Sequence, residues 1–150
     1  MAAIGFYHLT RSGPDAALPR LLGRTLAASQ RAVVLCAGDD RVRALDAALW
    51  ASNDPDWLPH GTAASGDADL QPIWLTATDA LPAPNNARFL FLLDGRTSEH
   101  LAGFDRVFDL FDGQDAGSVD AARARWLAAK AAGHTLSYWQ QSERGWEKAP

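Results

Sequence analysis

A chain of 150 residues in which 47% are apolar holds enough material for one hydrophobic core, which excludes global disorder. Fourteen Lys and Arg against eighteen Asp and Glu leave a net charge of −4, which argues against a dedicated duplex-DNA binder while leaving room for a local basic patch. A single cysteine, Cys36, excludes an intramolecular disulfide framework and a cysteine-rich zinc site, and no run of 18 apolar residues exists to span a membrane.

The opening MAAIGFYHL has no basic region leading into a long apolar stretch, so no secretory signal is read and a cytoplasmic address is expected. Ala3–Leu9, rich in Ile and aromatics, predicts a strand. Turn chemistry at Arg11–Pro14 leads into a helix over Asp15–Ser29, with Asp15 as its N-cap and Pro19 early enough to be tolerated. Ala32–Cys36 is short and wholly apolar, as a strand buried on both faces should be. Gly38-Asp39-Asp40 opens a second helix to about Ala51, with Val42, Leu45 and Leu49 as one apolar stripe. Asn53–Gly66 is expected to be an ordered loop, and Ala63–Leu70, small and polar, a mobile one. Ile73–Thr76 and Arg88–Leu93 predict two further buried strands, Thr97–Gly103 a short helix, and the alternating Arg106–Phe111 a fifth strand at an edge. Ser118–Ala132 is the clearest helix, with Ser118 as cap and Gly133 at the C′ position. The order β-α-β-α-β-β-α-β-α predicts one α/β domain over 1–150, an open, mainly parallel, Rossmann-like sheet with helices on both faces. Residues 134–150 form a polar C-terminal segment that holds Tyr138, Trp139 and Trp146.

The motifs that catalysis needs are missing. The first strand-to-helix turn carries one glycine where a dinucleotide fold needs G-x-G-x-x-G, and there is no phosphate loop, no G-x-S-x-G elbow and no metal-spaced pair among His8, His60, His100 and His134. No cofactor and no metal are expected. Cys36, at the end of an apolar strand, reads as an inert thiol, and His8 and His60 read as hydrogen-bonded structural groups. Asp94 ends a strand, where catalytic groups often sit, but one carboxylate is a weak signal.

Two constellations stand out. On the last helix Ala121, Ala124, Ala128 and Ala131 share one arc, while Arg123, Trp126, Leu127 and Lys130 share the opposite one, with Arg123 and Lys130 within about 20° of each other. Either the alanines lie on the sheet and leave Trp126 and Leu127 in solvent between two cations, or Trp126 is the buried side; periodicity does not choose. The first alternative suits a ligand with an apolar knob and nearby negative charge. Trp50, at the flank of the second helix, and Trp57, in the loop after it, are equally divided between core and site.

Phe6-Tyr-His-Leu9, Ala44-Leu-Asp-Ala-Ala-Leu-Trp50, Trp57-Leu-Pro-His-Gly61, Gln71-Pro72, Ala122-Arg-Ala-Arg-Trp126, Lys130-Ala-Ala-Gly133 and Tyr138-Trp-Gln-Gln141 are colinear. Together they resemble the chi subunit of bacterial DNA polymerase III. That resemblance implies a non-enzymatic α/β protein of the replisome. Its partners would be the psi subunit, which ties it to the clamp loader, and the acidic, Phe-terminated C-terminal tail of single-stranded DNA-binding protein, giving indirect association with single-stranded DNA. It implies a tail site at Trp50, Trp57, Arg123 and Trp126, with Leu127 beside them where some relatives carry a basic residue. Lys130 and Arg125 would draw in the rest of the tail. Two other classes stand beside this one: an α/β nucleotide-binding or hydrolase-like enzyme, and direct single-stranded DNA binding by the Trp and Arg residues.

Overall fold

The computed structural model describes residues 2–52 and 58–149. Strand β1 (Ala3–Leu9) leads into helix α1 (Pro14–Ala27), and β2 (Ala32–Leu35) leads into α2 (Asp39–Ala51). Three short strands follow, β3 (Gly61–Thr62), β4 (Ile73–Thr76) and β5 (Phe89–Leu92). After them come β6 (Arg106–Asp112), α3 (Ala116–Ala131), β7 (Thr135–Ser142) and β8 (Gly145–Lys148). The strands make one open sheet in the order β3-β4-β2-β5-β6-β1-β7-β8, parallel throughout except for the antiparallel β7–β8 hairpin. This is the expected α/β class. Helices α1 and α2 cover one face, over Val34, Leu75, Phe91 and Leu110; α3 covers the other, over Ile4, Val33, Leu35 and Val107. Each fully buried Leu, Val or Phe contributes about 1.5–3 kcal/mol to this sandwich.

The differences from expectation have local causes. Asp15 does not cap α1: Gly13 is the N-cap and Pro14 the first helical residue, where a missing N–H costs nothing. The Asp15 carboxylate instead accepts from Arg41 Nη2 at 2.5 Å and Nη1 at 3.1 Å. Ser118 does not cap α3 either. Asp115 does, accepting from the Ser118 N–H at 2.9 Å and the Ser118 hydroxyl at 2.8 Å, and these bonds hold its carboxyl below the usual Asp range. Gly133 takes φ of +87° after the helix, as a C′ glycine does.

Strand β6 is central, between β5 and β1, and not at an edge. Its alternation came from Asp109, which points inward. Thr97–Gly103 yields only one 3-10 turn at Leu101–Gly103. Ala63–Leu70 is tied down by the Ser65 hydroxyl, which donates to the Thr62 carbonyl, and by a 3-10 turn at Ala68–Leu70. The start of the loop expected at Asn53–Gly66, residues 53–57, lies outside the described residues, and its end supplies β3. Residues 134–149 are two further strands of the same sheet.

Among the contacts of the described residues, one charged pair joins a strand to a helix. Asp109, 3% exposed on β6, accepts from Arg125 Nε at 2.7 Å and Nη2 at 2.9 Å, a planar bidentate pair. Burial pushes this carboxyl up, and the guanidinium pulls it back. Replacing Arg125 with Met strands the carboxylate and should lower stability in denaturant unfolding by about 3–5 kcal/mol, most of it recovered when Asp109→Leu is added. A double variant no more stable than the single one would show that the pair is not what holds α3. Burial likewise pushes the Cys36 thiol up to about 12, with the Asp94 carboxylate adding to the effect. The native protein should therefore resist iodoacetamide at mildly alkaline pH and be labelled only on unfolding.

Candidate functional site

Alternate residues of a strand face the same side, so Phe6 and His8 of β1, Phe111 of β6 and Tyr138 of β7 all point toward α3. Helix α3 meets them with a stripe shifted by one residue from both arcs weighed above. Ala122, Arg125, Trp126 and Ala129, at i, i+3, i+4 and i+7, face the sheet, while Ala121, Ala124, Ala128 and Ala131 are exposed. Two small residues at Ala122 and Ala129 let the helix approach closely, and the Asp109–Arg125 pair fixes its rotation.

Trp126 is then half-buried, its ring edge-to-face on Phe6 at 5.2 Å and 6.4 Å from Tyr138. His8 lies 5.0 Å from Phe111 and shares a hydrogen bond with the Tyr138 hydroxyl. A Cβ at Gly113 would collide with the His8 ring and the Leu9 carbonyl oxygen, so only glycine fits beside this histidine.

Between these rings and the outer side of α3 lies a cavity of about 380 Å³, lined also by Val119, Arg123 and Leu127. Its walls are aromatic and aliphatic, and a guanidinium stands at its mouth. Arg123 is exposed, and its contact with Asp120 is 3.8 Å between two largely solvated side chains, so it contributes little and leaves the cation available. Burial raises the Tyr138 hydroxyl above its ordinary range, and the nearby Arg123 charge works against that rise. Leu127, 66% exposed, forms an apolar lip.

The cavity thus unites three of the predicted residues, Arg123, Trp126 and Leu127. Lys130 is exposed one turn further along α3, outside the lining. Arg125 is committed to Asp109 and does not reach outward, which corrects its expected role. Trp50 does not join the cavity: α2 packs on the opposite face of the sheet, beside β3 and β4, whereas α3 packs on β6 and β7. Trp57 lies outside the described residues. The rings of Phe6, His8, Phe111 and Tyr138 were not singled out as site residues from sequence, although the β1 alternation already placed Phe6 and His8 on one side.

Trp50 has surroundings of its own. It is 56% exposed, with its ring 4.2 Å from that of His60. His60 is buried; its Nδ1 is 2.7 Å from the Leu58 carbonyl oxygen, and its Nε2 lies 3.0 Å from Asp46 Oδ1 without a hydrogen bond. An exposed indole on a fixed platform is a second surface feature, separated from the first by the thickness of the sheet.

The polar groups at the strand ends are occupied structurally. Asp94 accepts from the Ala37 N–H at 3.0 Å and from Arg41 Nε at 3.1 Å. Arg96 donates to the Cys36 and Ala77 carbonyls. Among the described residues no group of three or more His, Cys, Asp or Glu converges on a point, and no helix is long and apolar enough to cross a membrane.

No curated protein matches the chain. A family model described as DNA polymerase III chi subunit, HolC, matches residues 1–137 of the 150, from β1 into the first half of β7. Because that match runs from β1 through α3 and covers well over half of the chain, the chain belongs to the DNA polymerase III chi subunit family and is an accessory subunit of that polymerase.

Proposed function

We propose that this protein is a non-catalytic connector that links the clamp loader, through psi, to single-stranded DNA-binding protein, whose acidic C-terminal tail it captures by the terminal Phe. The observation that carries this reading is the α3 cavity, an apolar, ring-walled space with Arg123 at its mouth. Such a tail ends in an aromatic ring and a carboxylate a few ångströms apart, and it needs a hydrophobic hole next to a cation. The ring enters against Trp126, Phe6 and Phe111; the α-carboxylate or a preceding Asp takes charge-assisted hydrogen bonds from Arg123. Lys130, further along the exposed side of α3, attracts the acidic residues upstream. Leu127 offers packing where a basic residue would offer charge, so this site relies on its apolar walls and on Arg123. So small an interface is weak and salt-sensitive, as suits a contact remade while the replisome moves.

The separation of Trp50 from the cavity favours a second element of the same reading. An exposed indole on the opposite face is the kind of anchor that a protein partner uses, and we assign it to psi rather than to the tail. One tail residue cannot touch both faces, whereas a connector needs two independent surfaces.

A calorimetric titration with an acidic peptide ending in Pro-Phe should give binding that weakens in salt and disappears when the terminal Phe is removed. Trp126→Ala and Arg123→Ala should each weaken it about tenfold or more, in line with loss of an aromatic anchor or a charge-assisted contact, with the thermal unfolding of Arg123→Ala unchanged. Undiminished binding by Arg123→Ala would sink the assignment. Trp50→Ala should leave the peptide titration untouched and lower the recovery of a reconstituted complex with psi; loss of tail binding instead would return Trp50 to the tail site.

A further inference from the structure

The face opposite the α3 cavity carries a second aromatic and cationic site, where the last turn of α1 meets β7 and β8, with Tyr7, Phe91 and Phe108 buried beneath it. Five strands each contribute a ring there. Phe91 stacks on Phe108 at 4.2 Å, Tyr7 lies 5.6 Å from Phe108, and Trp139 lies parallel to Tyr7 at 5.9 Å. Trp146 of β8 meets Tyr7 edge-on at 5.0 Å. The row depends on Gly5, because a Cβ there would sit 2.7 Å from Tyr7 Cε1 and lift the ring off the sheet. The two tryptophans are half-buried, so each keeps solvent-facing surface.

Cations surround these rings. The Arg106 guanidinium lies 4.9 Å above the Phe108 ring, and Lys148 Nζ lies 5.7 Å from the Trp139 ring. A cavity of about 230 Å³, walled by rings and by the last turn of α1, contains Arg24 and Arg106. It shares Arg24 and Trp146 with a larger cavity of about 640 Å³ between α1 and the β7–β8 hairpin, which Arg11 and Arg20 also line. Five of the chain's fourteen cations (Arg11, Arg20, Arg24, Arg106 and Lys148) therefore gather on one face of a protein whose net charge is −4. Among the described residues Glu143 is the one carboxylate in either lining, and it faces Arg11 at 3.5 Å. Arg24, Arg106 and Lys148 make no ion pair among the described residues. Trp139, Trp146 and Lys148 lie beyond the residues that the family model matches.

We propose that this face binds single-stranded nucleic acid directly, with a base against Trp139 and Trp146 and the backbone phosphates on Arg24, Arg106 and Lys148. A positively charged track beside aromatic rings is how proteins hold single strands without reading sequence. A strand also fits better than a second acidic peptide tail. It repeats charge and ring once per nucleotide, matching a run of cations and two indoles, whereas a tail brings one terminal ring and needs one hole. The contact is independent of the α3 cavity, which lies on the other side of the sheet.

The test uses the full chain and fluorescein-labelled oligothymidylate and oligouridylate of about 16 nucleotides, the upper end of a compact single-strand site, read by anisotropy across a salt series. Both should bind, with log affinity falling against log salt at a slope of about −2, the value for three neutralised phosphates on a single strand. Arg24→Ala should reduce that slope by about 0.7, and Trp146→Ala should weaken binding about tenfold through lost stacking. Both variants should keep wild-type affinity for the Phe-terminated peptide, which also reports that they are folded. Binding of only one of the two oligomers would identify the strand as DNA or RNA through its sugar and still support the site. No binding at low salt, or binding unaffected by Arg24→Ala and Trp146→Ala, would overturn the proposal. So would peptide binding that is lost with Arg24→Ala, since this face would then be a peptide site.

Discussion

The rotation of α3 about its own axis decides what this protein presents to a partner, and the buried Asp109–Arg125 pair sets that rotation. A carboxylate on the central strand of a sheet is costly to bury, and the bidentate guanidinium offsets the cost only in one helix orientation. Once Arg125 points inward, its neighbour Trp126 must lie over Phe6 and Tyr138, and Arg123 and Leu127 must stand at the outer edge of the helix–sheet seam. A turn of about 100° in either direction would have buried Arg123 or exposed Trp126 fully, and neither arrangement leaves an apolar hole beside a cation.

The sheet then works as a partition. Its first helices cover one face and its last helix the other, because the chain first winds toward β3 and β4 and later returns to add β6 and β7. The α3 cavity and Trp50 therefore open on opposite sides. For the connector proposed above this arrangement would have a plain physical advantage: two partners that never compete for the same surface would bind with affinities set separately, and each could leave without disturbing the other. The wall between them is rigid, since β1, β2, β5 and β6 are buried on both faces and hydrogen-bonded to neighbours on both edges.

Much of this was legible in the residue pattern. The apolar runs at Ala3–Leu9, Ala32–Cys36, Ile73–Thr76 and Arg88–Leu93 are strands in the structure to within a residue or two, because runs this short that are apolar on both sides satisfy their buried backbone by pairing with neighbouring strands, and are too short for a buried helix. The stripe Val42, Leu45, Leu49 faces the core as read. The differences at Asp15, Asp109 and Ser118 share one cause: the position of a partner, not the residue's own chemistry, decided its role. Asp109 made β6 look like an edge, yet its partner sits sixteen residues later on a helix. Asp15 and Ser118 have capping side chains, but Arg41 and Asp115 claimed them. The C-terminal segment looked polar because β7 and β8 lie at the border of the sheet, where strands are buried on less than one full face.

By itself the sequence determined the α/β class, the order of the buried strands, the helix that carries Arg123 and Trp126, and, through its colinear motifs, the family. These follow from local periodicity and residue type, which the chain carries at every position. What only the tertiary structure decided is which side of α3 meets the sheet, that Phe6, Phe111 and Tyr138 complete one cavity with it, and that Trp50 lies on the far face. Those outcomes depend on contacts between residues separated by dozens of positions, and a helix of alternating Ala, Arg and Trp is compatible with several rotations until a buried charge on another strand selects one.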